Sequence, residues 1–378
     1  MGIVEQVGPV NHTRHTSHTE SGGIERNKAP RISPASAARA CLALIGRGPT
    51  SIEYPGGASR CSVRAVMPGS SYIVTWRAHP ARAALETGVL SELRAAGAPV
   101  PAVIAHDDEW LIQQDLGPRR LSSALAAPVD RVGDRVAAAA GGLLLCQMAA
   151  DRTALSRRVA PIGVTPEWFT ALLSIPGRIA ARLGLPDPAI GASITPAQIT
   201  PRRLSFVKWD ARPGNAVLVD GSSDDNAVGW VDWEHCGARD ALDDLVWLLC
   251  DEYMPDDAGL EAAVLKRFLP LFAMLSKRSP DDALVYLSRL GSLHTCMRLA
   301  LVLEHKGDGA WWKAAACERS DRIGVTAEAA RRLCVRGARW SRRWPGGERM
   351  SHFFIEAGKR LRDDASDAAM RIAIPALA

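Results

Sequence analysis

The sequence has no apolar run close to the roughly 20 residues that a membrane span requires. The longest candidate, Leu242 to Cys250, falls far short. It also lacks a hydrophobic signal core near its start, where Gly2 to Asn27 is polar and rich in His, Thr and Glu. Eight cysteines are present, yet no two form a C-x-x-C pair. That excludes a zinc knuckle and a disulfide framework, and it leaves reduced, mostly buried thiols as the expectation. No internal repeat is visible, which excludes a solenoid or propeller. These absences predict a cytoplasmic protein with no membrane partner. The formal charge of +5 over 378 residues suits an anionic ligand such as a nucleotide and does not call for nucleic acid.

What is present is an ordinary globular composition, 47% apolar and 23% charged, in a chain long enough for two domains or one bilobal body. Residues 1–33 carry almost no apolar periodicity and read as a disordered tail. His12, His15 and His18 stand three apart there. They would clamp a metal only if the tail were helical, and solvated histidines are the plainer reading. A short amphipathic helix is expected over Pro34–Leu44, ahead of Gly46 and Gly48. Ser71–Trp76 and Trp110–Gln114 read as strands on β-branched and aromatic content. Between them Pro80–Ala96 is a helix with the stripe Leu85, Val89, Leu93, stopped by Gly97 before Pro99 and Pro101. After Leu121 helices dominate, except for a hairpin formed by Asn215–Val219 and Val228–Val231. The clearest helix is Pro280–Lys306: Ser279 caps it, Asp281 and Asp282 meet its positive end, His305 and Lys306 its negative end, and Gly307 ends it.

The chemistry lies between Phe206 and Leu245. Asp210 is followed five residues later by Asn215, and Asp232 comes after the hairpin. Moving a γ-phosphoryl group to a hydroxyl needs a carboxylate that orients and deprotonates the acceptor. It also needs oxygen ligands that hold Mg²⁺ against the phosphates. A loop Asp-x-x-x-x-Asn supplies the base and one ligand, and an Asp ending the returning strand supplies the second.

This stretch resembles the aminoglycoside phosphotransferase and choline-kinase-like family, whose pattern runs H-G-D-x-x-P-x-N, a hairpin, I-D-W-E, then G-D-P-x-x-D-L. Asp210, Pro213 and Asn215 fit the first part; Asp232, Trp233 and Glu234 the second; Asp240 and Asp244 the third. The resemblance implies an α+β, bilobal protein-kinase-like fold. Its small β-rich N-lobe would span 34–117 and its large helical C-lobe 118–378. It implies Asp210 as catalytic base, Asn215 and Asp232 as Mg²⁺ ligands, and Asp244 as a brace accepting backbone N–H bonds from the catalytic loop. Upstream, Gly56, Gly57 and Ser59 occupy the place of the phosphate-covering loop. Arg77 stands where the family has a phosphate-binding cation, and Glu86 where it has that cation's acidic partner. Gln113, Gln114, Asp115 and Leu116 fall beside the adenine. The implied cofactors are ATP and Mg²⁺, with a hydroxyl-bearing small molecule as acceptor. The match covers about residues 50–250. Five positions depart from the pattern: Lys208 and Trp209 replace its His and Gly, Arg212 an often-found His, and Gln147-Met148 a Leu-His pair.

Two rival functions share these residues. A non-catalytic kinase-like nucleotide-binding protein is suggested by Lys208 and Arg77, but the intact Asp210, Asn215 and Asp232 weigh against it. A kinase acting on a protein lacks an activation-loop-like segment between Asp232 and Asp244. Trp233 and Trp247 read as core. The run Arg331, Arg332, Arg336, Arg339, Trp340, Arg342, Arg343 reads as a solvated helix face with Trp340 docked inward, ahead of a nucleic-acid surface. Asp251, Glu252, Asp256, Asp257 and Glu261 form an acidic cluster with two open readings: a solvated loop, or a site attracting a cationic, amine-bearing acceptor.

Overall fold

A computed structural model of the chain describes residues 32–126, 131–222, 226–319 and 323–373. The expected tail, with His12, His15 and His18, lies outside the described residues up to position 31. Its last two positions belong to the folded body. Ile32 is fully buried, with its carbonyl held by the Tyr54 hydroxyl at 2.9 Å. The Ser33 side chain caps α1 (Pro34–Ile45) by accepting from the Ser36 N–H, and Gly46 closes it at φ +67°. One face of α1, through Ala37 and Cys41, covers the inner side of a sheet at Val63, Ala65, Val74 and Ile112.

That sheet is antiparallel, with β1 (Ser51–Glu53), β2 (Ser62–Met67), β3 (Ser70–Trp76), β4 (Val103–His106) and β5 (Trp110–Gln114) in the order β1-β2-β3-β5-β4. β3 and β5 begin and end within one residue of their sequence-predicted bounds. Their register sets Val74 opposite Ile112 and Thr75 opposite Leu111. α2 (Pro80–Ala95) crosses between them and buries Val89, Leu90 and Leu93 along with Glu86.

The rest is helical apart from two small ribbons. α3 (Leu121–Ala126), α4 (Val132–Arg152) and α5 (Pro166–Leu183) precede β6 (Ser205–Val207). The expected hairpin forms from β7 (Ala216–Leu218) and β8 (Val228–Trp230). β6 pairs instead with β9 (Gly237–Arg239), so the chemistry-bearing segment leaves and rejoins one ribbon. α6 (Leu242–Leu249), α7 (Ala258–Leu275), α8 (Pro280–Lys306), α9 (Ala314–Arg319), α10 (Ala327–Ser341) and α11 (Glu348–Ala373) follow. The bounds and Ser279 cap of α8 agree with the sequence analysis. The chain is therefore α+β and bilobal, a small sheet lobe on a larger helical one.

The helical lobe closes by small residues at its crossings. Gly291 on α8 lies under the Trp340 ring of α10, and Gly337 on α10 under Phe354 of α11. A Cβ at either place would overlap the ring, and a packed interior yields little. Gly291→Ala is therefore expected to lower stability by about 1–3 kcal/mol. A urea unfolding midpoint equal to the wild type's would show that this crossing has slack.

Candidate active site

The loop after β6 carries Lys208, Trp209 and Asp210. Trp209 and Asp210 both stand at φ +51°, and Asp232, after β8, at φ +63°. Side chains with a Cβ avoid this left-handed region, and such strain persists only where surrounding contacts over-determine it. The contacts are identifiable. Asp244, in the first turn of α6, accepts the Lys208 N–H at 2.8 Å and the Trp209 N–H at 2.9 Å. Gln147 of α4 steadies that carboxylate, donating to it at 2.9 Å and to the Ala241 carbonyl at 3.0 Å. The expected Asp244 brace is thus present, and Gln147, from the first position of the pair that replaces the family's Leu-His, supports it.

Lys208 gives the second constraint. Its side chain is buried and its ammonium donates to the Asp232 carbonyl at 2.8 Å and the Asp210 carbonyl at 3.4 Å. The Trp233 ring centroid lies 5.4 Å away, within cation–π range. One cation thus joins the Asp210 and Asp232 turns. Asn215 Nδ2 donates to the Asp210 carboxylate at 2.8 Å and to its carbonyl at 2.9 Å, leaving the amide oxygen for another partner.

Arg77 follows β3 and collects three carboxylates: Glu86 of α2 at 2.7 Å, Asp232 at 3.0 Å and Glu234 at 3.2 Å. Burial alone would lower its affinity for the proton; the three anions reverse that and keep it charged. The Asp232 carboxyl shows the mirror case. Its partial burial favours the neutral form, but Arg77 and Lys208 override this and hold it well below the ordinary range. It stays ionised while 40% of its side chain remains accessible. Glu86 also accepts the Trp233 N–H at 3.1 Å, tying α2 to the residue after Asp232. Sequence alone did not assign Glu234 a role here, although it stands in the quoted Asp-Trp-Glu motif.

The remaining expected nucleotide contacts are not part of this cluster. Gly56, Gly57 and Ser59 lie in the turn joining β1 to β2, where Gly57 takes φ +86°. Gln114 ends β5, and its side chain accepts the Ala102 N–H at 3.3 Å. Asp115 is engaged inside the sheet, by Arg64 at 2.5 Å, Ser71 at 2.7 Å and the Gly117 N–H at 3.0 Å. Arg64 and Ser71 carry no motif and went unnoticed. Leu116 is buried, and its carbonyl accepts the Asp220 N–H at 2.9 Å.

Two sequence expectations are overturned together. Most of the acidic cluster is neither solvated nor open to a ligand, because Asp251, Glu252 and Glu261 are buried beside arginines, while Asp256 is partly buried and Asp257 stays exposed as the cap of α7. Arg298 holds Glu252 through two bonds of 2.7 and 2.6 Å and lies 3.7 Å from Asp251. Glu261 receives Arg336, Arg339 and the Trp340 indole at 3.1, 2.6 and 2.9 Å. The basic run on α10 is therefore not a solvated face. Arg336 is wholly buried, and Trp340 is docked inward as expected. Charges in a low-dielectric interior require such partners.

A two-lobed α+β chain with a braced Asp–Asn loop facing a buried Arg–Glu pair has the build of a phosphotransferase. The family model described as phosphotransferase enzyme family (APH) matches residues 52–278, more than half of the chain, and the protein belongs to that family. Solved structures show remoter likeness. A choline/ethanolamine kinase family protein from Mesorhizobium loti is 19% identical, with 81% of this chain and 99% of that one covered and a TM-score of 0.45. Macrolide 2′-phosphotransferase MphH from Brachybacterium faecium is 15% identical over 75% and 91%, with a TM-score of 0.42. A GDP and kanamycin complex of an aminoglycoside 2″-phosphotransferase is 14% identical over 71% and 92%, at 0.47. No curated protein gave a significant match.

Burial pushes the Asp244 carboxyl up to about 6, against the pull of the loop N–H groups and Gln147. The folded value lies above the ordinary 3.8, so the folded state holds this proton more tightly than the unfolded chain. Stability from this group is greatest below about pH 4 and declines as pH rises through about 6. Turnover should move oppositely, since only the ionised form accepts all three donors without competition. Asp244→Asn is expected to flatten the pH 4–6 part of the urea midpoint and to lower turnover by about tenfold or more. Unchanged turnover in that variant would show that the loop holds its geometry without the brace.

Proposed function

We propose that the protein transfers the γ-phosphoryl group of ATP to a hydroxyl of a small polar molecule, in the cytoplasm and with Mg²⁺. The observation that carries this reading is the pairing of Asp210 with Asn215 beside an ionised Asp232 fixed by Arg77 and Lys208. Asp210 takes the hydroxyl proton as the acceptor oxygen bonds to the γ-phosphorus. The bond from that phosphorus to the bridging oxygen breaks, and ADP carries away the electron pair. The work left to the protein is positioning and charge compensation, which suits a site built from constrained turns.

Asn215 and Asp232 offer hard oxygen donors, the type that Mg²⁺ takes. Among the described residues no group of three His, Cys, Asp or Glu side chains could hold a metal alone. That fits an ion completed by phosphate oxygens and water. Bound there, Mg²⁺ would offset charge on the phosphates. In this reading Arg77 turns part of its charge toward the α- and β-phosphates, with Glu86 keeping it in place. The β1–β2 turn with Gly56, Gly57 and Ser59 covers the phosphates, and residues 114–116 border the base. The sheet lobe, 34–117, would cover the nucleotide and the helical lobe, 118–378, would supply the loop and the acceptor side. A small acceptor is favoured over a protein because the segment between Asp232 and Asp244 is short and mostly buried, with β9 inside it.

Asp210→Asn should retain Mg·ATP binding while turnover falls by about 10²-fold or more. Full activity would remove Asp210 from the role of base. Asn215→Ala and Asp232→Ala should both shift the Mg²⁺ dependence of ATP affinity, Asp232→Ala more, since it deletes a full charge. Magnesium titrations that superimpose on the wild type would put the metal elsewhere.

A further inference from the structure

We infer that the acceptor is an uncharged carbohydrate ring, free or as a glycoside, received on the indole of Trp209 and not by carboxylates. This rests on the phosphotransfer reading above and names the chemistry of its acceptor. A polycationic acceptor needs free anionic side chains near the base. From Asp232 to Glu261 most carboxylates are already engaged, the exceptions being one Asp251 oxygen without a hydrogen-bond partner and the exposed Asp257. Asp232 and Glu234 face Arg77, Asp240 faces Arg278 at 3.0 Å, and Asp243 binds Arg239. Asp244 holds the loop, Asp251 and Glu252 meet Arg298, and Asp256 meets Arg339 at 3.1 Å. Asp257 caps α7, and Glu261 is enclosed by Arg336 and Arg339. Drawing a polyamine to this side would mean breaking buried ion pairs, which costs several kcal/mol apiece.

Beside the base stands an aromatic surface. Trp209 immediately precedes Asp210 and is only partly buried. Its ring leans on Trp247 at 5.4 Å and Trp168 at 6.2 Å, with the Arg239 guanidinium 5.6 Å away. Trp247 is backed in turn by the buried His294 ring at 4.3 Å. Burial, aided by Arg298, lowers His294 to about 3, so this backing ring is neutral at physiological pH. The φ of +51° at Trp209 would cost a glycine nothing, yet the position holds the largest side chain. A partly buried indole held by packed rings, one residue before the base, offers the apolar surface that remains accessible there. The C–H face of a neutral sugar matches such a plane while its hydroxyls point to Asp210 and solvent.

The test measures acceptor-dependent ADP formation with neutral hexoses and aryl glycosides, kanamycin and choline. It covers NaCl from about 50 to 300 mM, which shortens the screening length about 2.4-fold. Mg·ATP affinity is read separately by calorimetry. Neutral acceptors should react with a KM indifferent to salt. Trp209→Gly should raise that KM by about tenfold or more, equivalent to one well-packed ring contact. Trp209→Phe, which keeps a smaller plane, should fall between, and neither variant should change Mg·ATP affinity. A better kanamycin or choline reaction whose KM rises with salt overturns the inference. So does a Trp209→Gly protein that binds Mg·ATP and keeps the wild-type acceptor KM. Wild-type protein that binds no Mg·ATP would instead refute the phosphotransfer reading itself, and the acceptor assignment would fall with it.

Discussion

The geometry of the site depends on one buried carboxylate accepting two adjacent backbone N–H groups. Asp244 sits at the start of α6, where unpaired N–H groups already favour negative charge. From there it fixes Lys208 and Trp209. A loop entering a left-handed turn has no ladder to satisfy its amides, and buried amides left unpaired cost roughly 1–3 kcal/mol each. One side chain meets both needs at once. The β6–β9 ribbon then fixes where the loop starts and where the Asp232 segment returns.

Lys208 complements this from the opposite charge. A histidine could offer one donor to one carbonyl, whereas an ammonium has three donors and reaches the carbonyls of both Asp232 and Asp210. The exchange also places a lasting positive charge behind the Asp232 carboxylate, adding to that of Arg77. The strain at Trp209, Asp210 and Asp232 is therefore offset by hydrogen bonds and charge supplied from α4, α6 and α2. Loss of any one support should be felt at the other turns, because the three share partners.

Much of this was legible in sequence because it is local. The Asp210–Asn215 spacing, the returning Asp232 and the capped α8 are short-range signals read by periodicity and motif. The Arg77–Glu86 pair was legible only through the family resemblance, which puts a cation at that strand end and its acidic partner on the next helix. The β6–β9 ribbon was not, because two three-residue buried strands carry no alternation and pair across thirty residues. Asp115 was legible only in part for a related reason. The family resemblance places it beside the adenine, while Arg64 and Ser71 reach it across the sheet, and nothing near it in sequence announces them.

The acidic cluster and the basic run were each read alone, and the reading missed that most of their charges are buried together, although Trp340 docks inward as expected and Asp257 and Arg342 stay exposed. Charge runs look solvated when their partners lie some eighty residues away. Here a stretch after α6 and a face of α10 neutralise each other inside the helical lobe, with Arg336 also donating to the carbonyls of Asp251 and Met254. Burying so many ions is weakly stabilising at best, since desolvation opposes each Coulombic gain. What such a network does supply is directionality. A guanidinium fork accepts only certain approaches of carboxylate and carbonyl, so α10 can dock on α7 and α8 in one register. That register sets Trp340 over Gly291, and α8 in turn carries His294 behind Trp247 and Trp209. The ionic interior thus reaches the loop that carries Asp210 through packed rings, so the place of Trp209 depends on charges far from it in sequence.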